Sequence, residues 1–314
     1  MLKTLYKCFP LPWLIFGLVF LLLLWLFPFY HVWFLEQNGS LGLNRALEIF
    51  LSLLITVLNV FIFRQMVSVS AIMETGERLS VYPMTLLSAL CFLMADGVLA
   101  VVGISFLLLL LLRLMNGLSS GNIKGAAFDC GLLTALAITF NPIYGFYLII
   151  FMSIAFIHAQ LNLKAALISL LGLSIPFLLY AQIAFLLDDQ MLPQHLFEAK
   201  TVASGATPDS FLLLPFLIIL SSVILYTCYR SFTMLNTGPV RRRMMIRSGF
   251  VVVMIGIGIG LISSVSGYGN SAFMVVIPGL CILFLEFLRH PKGRWEPYLF
   301  LAWALMTWAF IWTF

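Results

Sequence analysis

Long uninterrupted apolar runs alternate with short polar connections along the whole chain, and the runs set the predicted elements. A helix needs roughly 20 apolar residues to cross about 30 Å of hydrocarbon, so the pattern predicts about eleven helical spans. They are Leu11–Tyr30, Arg45–Phe63, Pro83–Ala95, Gly97–Leu112, Ala126–Phe140, Ile143–Ala159, Lys164–Leu187, Ser210–Tyr229, Ser248–Ser266, Ser271–Leu288 and Pro297–Phe314. The pair on either side of Asp96 is short for a crossing, which predicts a hairpin that stops below the outer surface. Asn141-Pro142 predicts a tight turn, because the residue before proline is pushed out of the helical region. Pro176 predicts a kink in its span. The fold expected is all-α: a single polytopic helical bundle in the membrane over residues 1–314. Lys3 and Lys7 precede the first run as they would in a signal peptide. That run is long and ends without a small-residue cleavage site, so it is read as a retained first span.

Composition strengthens this reading. The chain is 62% hydrophobic and 9% charged, where a soluble domain carries about a quarter charged residues. Such a chain cannot cover itself with polar surface, so its solvent is lipid. The net charge of +5 does not point to nucleic acid, because the cations sit in short connections between spans, where they set orientation. The densest connection is Arg241-Arg242-Arg243-Met244-Met245-Ile246-Arg247, read as a loop. With that loop and the N-terminus cytoplasmic, all but Arg45 and Lys200 of the 17 Lys and Arg residues fall on the cytoplasmic side. The C-terminus is then on the outer side, in the periplasm if the source is a Gram-negative bacterium, and the protein is read as a multi-pass membrane protein.

Candidate chemistry is sparse. The five cysteines (Cys8, Cys91, Cys130, Cys228 and Cys281) lie in or beside apolar runs without CxxC spacing, so neither a disulfide framework nor a zinc site is indicated. No metal and no cofactor is expected. Asp96 is either an intramembrane functional acid or the cap of the helix that starts at Gly97. Glu36 in the first outer loop is the other weak catalytic candidate. Asp129 is expected in the first turn of its span, beside Lys124 or Arg113; Glu48 is spaced to pair with Arg45. Asp188, Asp189, His195 and Glu198 form a polar loop that either lines an outer mouth or is simply solvated. Arg241, Arg242, Arg243 and Arg247 are candidates for binding anionic or polyprenyl-linked lipid headgroups, or an acidic partner protein. Gly256 and Gly260, a Gly-xxx-Gly step inside an apolar span, permit close helix approach within the bundle or against a partner. With no strand before them they do not form a nucleotide loop.

The runs Gly121-Asn122-Ile123-Lys124, Phe128-Asp129-Cys130-Gly131-Leu132-Leu133, Phe140-Asn141-Pro142 and Ser169-Leu170-Leu171-Gly172-Leu173-Ser174-Ile175-Pro176-Phe177-Leu178-Leu179 resemble a family of uncharacterised multi-pass inner-membrane proteins of Bacteroidota, a domain of unknown function. Some members carry a carotene-oxygenase label. The iron chemistry that label implies needs clustered histidines, and His31, His158, His195 and His290 are scattered. A more distant similarity is to polyprenyl-phosphate-dependent membrane glycosyltransferases. The scarcity of acids favours a non-catalytic membrane subunit of an envelope assembly: secretion, gliding or surface-glycan machinery. The span pattern favours the alternative, a glycosyltransferase-like enzyme or lipid-linked glycan transporter. Whether the chain is catalytic is left open by its sequence.

Overall fold

The computed structural model describes residues 41–69, 84, 87–88, 98–160, 162–186, 225–233, 240–266 and 275–289. The expected spans Leu11–Tyr30 and Pro297–Phe314, most of Pro83–Ala95 and most of Ser210–Tyr229 lie outside these residues. The described residues are all-helical, with no strand among them. In chain order the elements are α1 (Leu41–Val69), α2 (Val98–Ser120), α3 (Ile123–Ile138), a 3-10 turn (Pro142–Phe146), α4 (Tyr147–Ile157), α5 (Leu163–Leu186), α6 (Val240–Ser266) and α7 (Val276–Arg289). Among the described residues, three helices are long and apolar enough to cross a membrane, through the windows Phe50–Ser68, Val101–Ser120 and Val240–Leu261. These are the helices of a membrane protein.

Helix ends shift from the sequence expectation, α1 for example running Leu41–Val69 where Arg45–Phe63 was expected, and two ends shift most. The helix expected at Gly97–Leu112 runs 23 residues, from Val98 to Ser120, which at 1.5 Å per residue is about 35 Å. Arg113 and Asn116, polar residues that suggested an end, are absorbed into its last turns. The helix stops only where Gly121 adopts φ +74, the left-handed conformation glycine enters without a Cβ penalty. Likewise α6 starts at Val240, not Ser248, so Arg241–Arg247 is helix and not loop. A cluster of charge does not stop a helix, because straight-chain Arg is a good helix former.

α2 is the central element: 72% of its apolar window is buried, against 44% for α1 and 50% for α6. It forms a tight hairpin with α3. Asn122 caps α3, its side chain accepting from the Gly125 N–H at 3.2 Å. Gly117 of α2 lies directly against the Ala126 methyl, and the Cys130 thiol reaches the Leu110 carbonyl at 3.7 Å. At the other end of the hairpin, Asn141 is extended (φ −158, ψ 124) and accepts from Ile143 N–H at 3.1 Å, starting the 3-10 turn through Pro142. The Tyr144 ring lies against Gly103 of α2 and stacks on Tyr147 with centroids 5.2 Å apart. The Tyr147 hydroxyl donates to the Gly103 carbonyl at 2.9 Å. One missing side chain on α2 thus admits both tyrosines.

Glycine also sets two further close helix pairs. A Cβ on Gly131 of α3 would fall on the Ser169 carbonyl of α5, and one on Gly172 would fall on the Phe128 carbonyl, so these backbones touch. Pro176, inside α5, lacks the N–H that would have bonded the Gly172 carbonyl. In the second pair, Gly279 of α7 lies over the Gly249 carbonyl, at 2.7 Å from where its Cβ would stand. Gly256 meets Val276 in the same way, at 2.8 Å from the methyl and 3.0 Å from the backbone nitrogen; Gly260 is buried. Gly258, between them, faces open space. Outward faces are apolar: Leu47, Phe50, Leu54, Leu58 and Phe61 of α1 are exposed, while Ser52, Thr56 and Asn59 of the same helix are fully buried. This inside-out amphipathicity suits a lipid solvent.

The contrast between glycines is testable. Gly131→Ala drives a methyl into a backbone carbonyl and is expected to cost about 1–3 kcal/mol. Gly258→Ala meets nothing and is expected to gain about 0.5–1 kcal/mol from reduced chain entropy. Thermal unfolding of both variants in mild detergent measures the difference, and equal effects would contradict the packing described.

Candidate functional site

The first two turns of α6 carry Arg241, Arg242, Arg243 and Arg247, and there is no acid in the first turn. At 100° per residue the first three arginines fan over more than half the helix circumference. Arg241 and Arg247 are accordingly exposed, Arg242 is buried and Arg243 is half-buried. The Arg243 Nε–H is buried with no hydrogen-bond partner. This end of a helix is the positive end of its dipole, where each cation is unfavourable by roughly 0.3–1 kcal/mol unless an anion stands nearby. α7 runs back along α6, pairing Gly249 with Gly279 and Gly256 with Val276.

α4 delivers a polar turn to the same segment. Its helix ends at Ile157, and the chain closes with Gln160 N–H on the Ala155 carbonyl (3.0 Å) and Ala159 N–H on the Phe156 carbonyl (2.9 Å). Ala159 takes φ +54 to do so, a left-handed conformation usually held by glycine. The turn sets His158 against α6, with Nε2 3.4 Å from the Ser248 hydroxyl. Ser248 spends its proton on the Met244 carbonyl at 2.9 Å, so its lone pairs face a His158 Nε2–H. Beyond the apolar helix, burial holds the His158 imidazolium below its usual range, and the charge of Arg247 adds to this. A hydrogen bond to the Met244 carbonyl works the other way. Gln160 presents a buried Oε1 without a partner.

The other candidates are dispersed. Asp129 lies 3.7 Å from the Arg113 guanidinium, both partly exposed, a pair worth about 0–1 kcal/mol. Since α3 starts at Ile123, Asp129 sits beyond the first turn expected for it. Glu48 and Arg45 fall within α1, with side chains outside the described set. Asp96, Glu36, Asp188, Asp189, His195 and Glu198 also lie outside the described residues. No group of three metal-ligating side chains occurs among the described residues.

Three features escaped the sequence reading. The Gly131–Gly172 and Gly249–Gly279 crossings join glycines on different helices, which no spacing along one helix can show. The buried polar face Ser52, Thr56 and Asn59 has the i, i+4, i+7 spacing of one helix side, a signal that was legible beside Asn59. Compared with known proteins, the chain matches no family model, no curated protein and no solved structure.

His158 gives a prediction with a definite sign. Its folded value lies below that of the unfolded chain, so its contribution is fully present above about pH 6.5. It is lost as the pH falls through the lowered folded value, when the half-buried ring must charge beside Arg247. Stability in detergent is therefore expected to drop as the pH is lowered below about pH 6.5, and to drop less in His158→Gln. An unchanged pH slope in that variant would show that His158 is not the source.

Proposed function

We propose that this chain is a multi-pass protein of a bacterial inner membrane, N-terminus cytoplasmic and C-terminus periplasmic, with about eleven spans. It acts there as a non-catalytic membrane subunit of an envelope assembly, in the secretion, gliding or surface-glycan class. The observation that carries the reading is the basic start of α6: four arginines stand at a helix end that favours anions, one with a buried, unpartnered N–H. Such an end gains from an anionic neighbour, either membrane headgroups or an acidic partner protein. The glycine-pinned helix pairs support a scaffold role, since they hold a fixed shape against which a partner can dock; Gly256 and Gly260 themselves face into the bundle, Gly256 against Val276 of α7. The resemblance to the Bacteroidota family remains part of the proposal.

A second reading rests on the same arginines. Clustered guanidinium groups suit the diphosphate of a polyprenyl carrier, which would make the chain a glycosyltransferase-like enzyme or lipid-linked glycan transporter with Asp96 and Glu36 as its acids.

Native mass spectrometry of the protein extracted gently from its own membranes separates the two. Other polypeptides at fixed stoichiometry are expected for the subunit. A lone chain carrying a polyprenyl-linked phosphate would replace it with the second reading. A lone chain with bulk phospholipid alone would contradict both.

A further inference from the structure

A hydroxyl inside a helix in hydrocarbon has a standard escape: it donates back to the carbonyl three or four residues earlier. The described helices use it repeatedly. Ser105 bonds Val101, Thr134 bonds Cys130, Ser169 bonds Ala166 and Ser248 bonds Met244, at 2.8–3.2 Å. Thr56 of α1 does not. It is fully buried, and its hydroxyl has no hydrogen-bond partner. Three residues on, Asn59 is also fully buried. Its Nδ2 donates to the Val101 carbonyl of α2 at 3.2 Å, while its Oδ1 has no partner. Flipping the amide gives no relief, because Oδ1 would then face the Val101 carbonyl oxygen, acceptor against acceptor.

Leaving one such group unpaired in an apolar interior is costly, and here two sit on one helix face, inside the apolar window Phe50–Ser68. Residues three apart on a helix have Cβ atoms about 5–6 Å apart. Two hydrogen bonds of about 2.8 Å through one oxygen atom span that distance. The unmet needs are also complementary, one O–H to give and one carbonyl oxygen to fill. A cation would satisfy Asn59 Oδ1 and leave the Thr56 proton unpaired, whereas a hydroxyl-bearing molecule satisfies both.

We propose that Thr56 and Asn59 form a buried binding site for one small neutral hydroxylic molecule, water or a guest of its size, which accepts from Thr56 Oγ1 and donates to Asn59 Oδ1. The site couples α1 to α2 through the Val101 carbonyl, which also receives Ser105. It is a polar station inside the bundle, separate from the basic segment of α6, and does not depend on the function assigned to that segment.

Thr56→Val, which keeps shape and removes the hydroxyl, tests it against Thr56→Ser, which keeps the hydroxyl. If the site is occupied, Thr56→Val strands both guest and Asn59, and the unfolding midpoint in detergent falls by about 3 °C or more. Thr56→Ser then stays nearer the parent, with the same result in sodium and choline buffers. A midpoint that is unchanged or raised in Thr56→Val would mean the hydroxyl had no guest, and overturns the proposal. A midpoint of the parent protein that moves with sodium would identify a cation and overturn it too. Should Thr56→Val fail to fold, a high-resolution cryo-electron density map of the parent protein decides: a peak between Thr56 Oγ1 and Asn59 Oδ1 supports the site, and continuous emptiness there refutes it.

Discussion

Helices in lipid gain nothing from burying leucine against leucine, because the acyl chains they leave are equally apolar. Association must come from close contact and from hydrogen bonds, and close contact is limited by side chains. That constraint organises this bundle. Where α3 meets α5 and where α6 meets α7, glycines remove the obstacle and carbonyl oxygens of one helix lie on the backbone of the next. Gly103 serves the same end differently, giving up its side chain so that the Tyr144 ring can fit and Tyr147 can bond the backbone.

The same solvent governs the polar groups. With water excluded, each hydroxyl or amide must be paired within the fold, and most described hydroxyls turn back onto their own helix. Buried polar atoms left without a partner include Thr56 and Asn59 in the interior, Arg243 and Gln160 where α4 and α6 present polar side chains, and the hydroxyls of Ser88 and Ser231. Two of these places differ in character: the Thr56–Asn59 pair is neutral and enclosed, whereas Arg243 stands beside the exposed Arg241 at the start of α6.

Fold class was legible because composition and run length carry it directly: a chain with 62% hydrophobic residues and runs the length of a bilayer is helical by necessity. Turns with their own chemistry were legible too, such as Asn141-Pro142, whose extended asparagine follows from the proline ring. Boundaries failed where charge was taken as an end signal. Arg113 and the arginines before Ser248 lie inside helices, because an arginine near a membrane surface extends its long stem and keeps the helix intact. The helix crossings were illegible for a different reason. Gly131 and Gly172 acquire meaning only from each other, and a pairing between distant segments is absent from local pattern. The basic site was half legible: its residues stood out at once, but their helical fan and the arrival of His158 from α4 required the structure.

The account depends most on orientation, since the basic start of α6 can meet cytoplasmic partners and anionic headgroups only if it faces them. Single cysteines at Lys124, Lys164 and Arg241, in a background with the native cysteines replaced, can be probed with a membrane-impermeant maleimide on intact spheroplasts and again after the membrane is opened. The proposed topology predicts that all three are protected in intact cells and labelled once the membrane is opened. Labelling of any of them from outside, with the protein otherwise folded, would contradict the threading and with it the function built on the basic end.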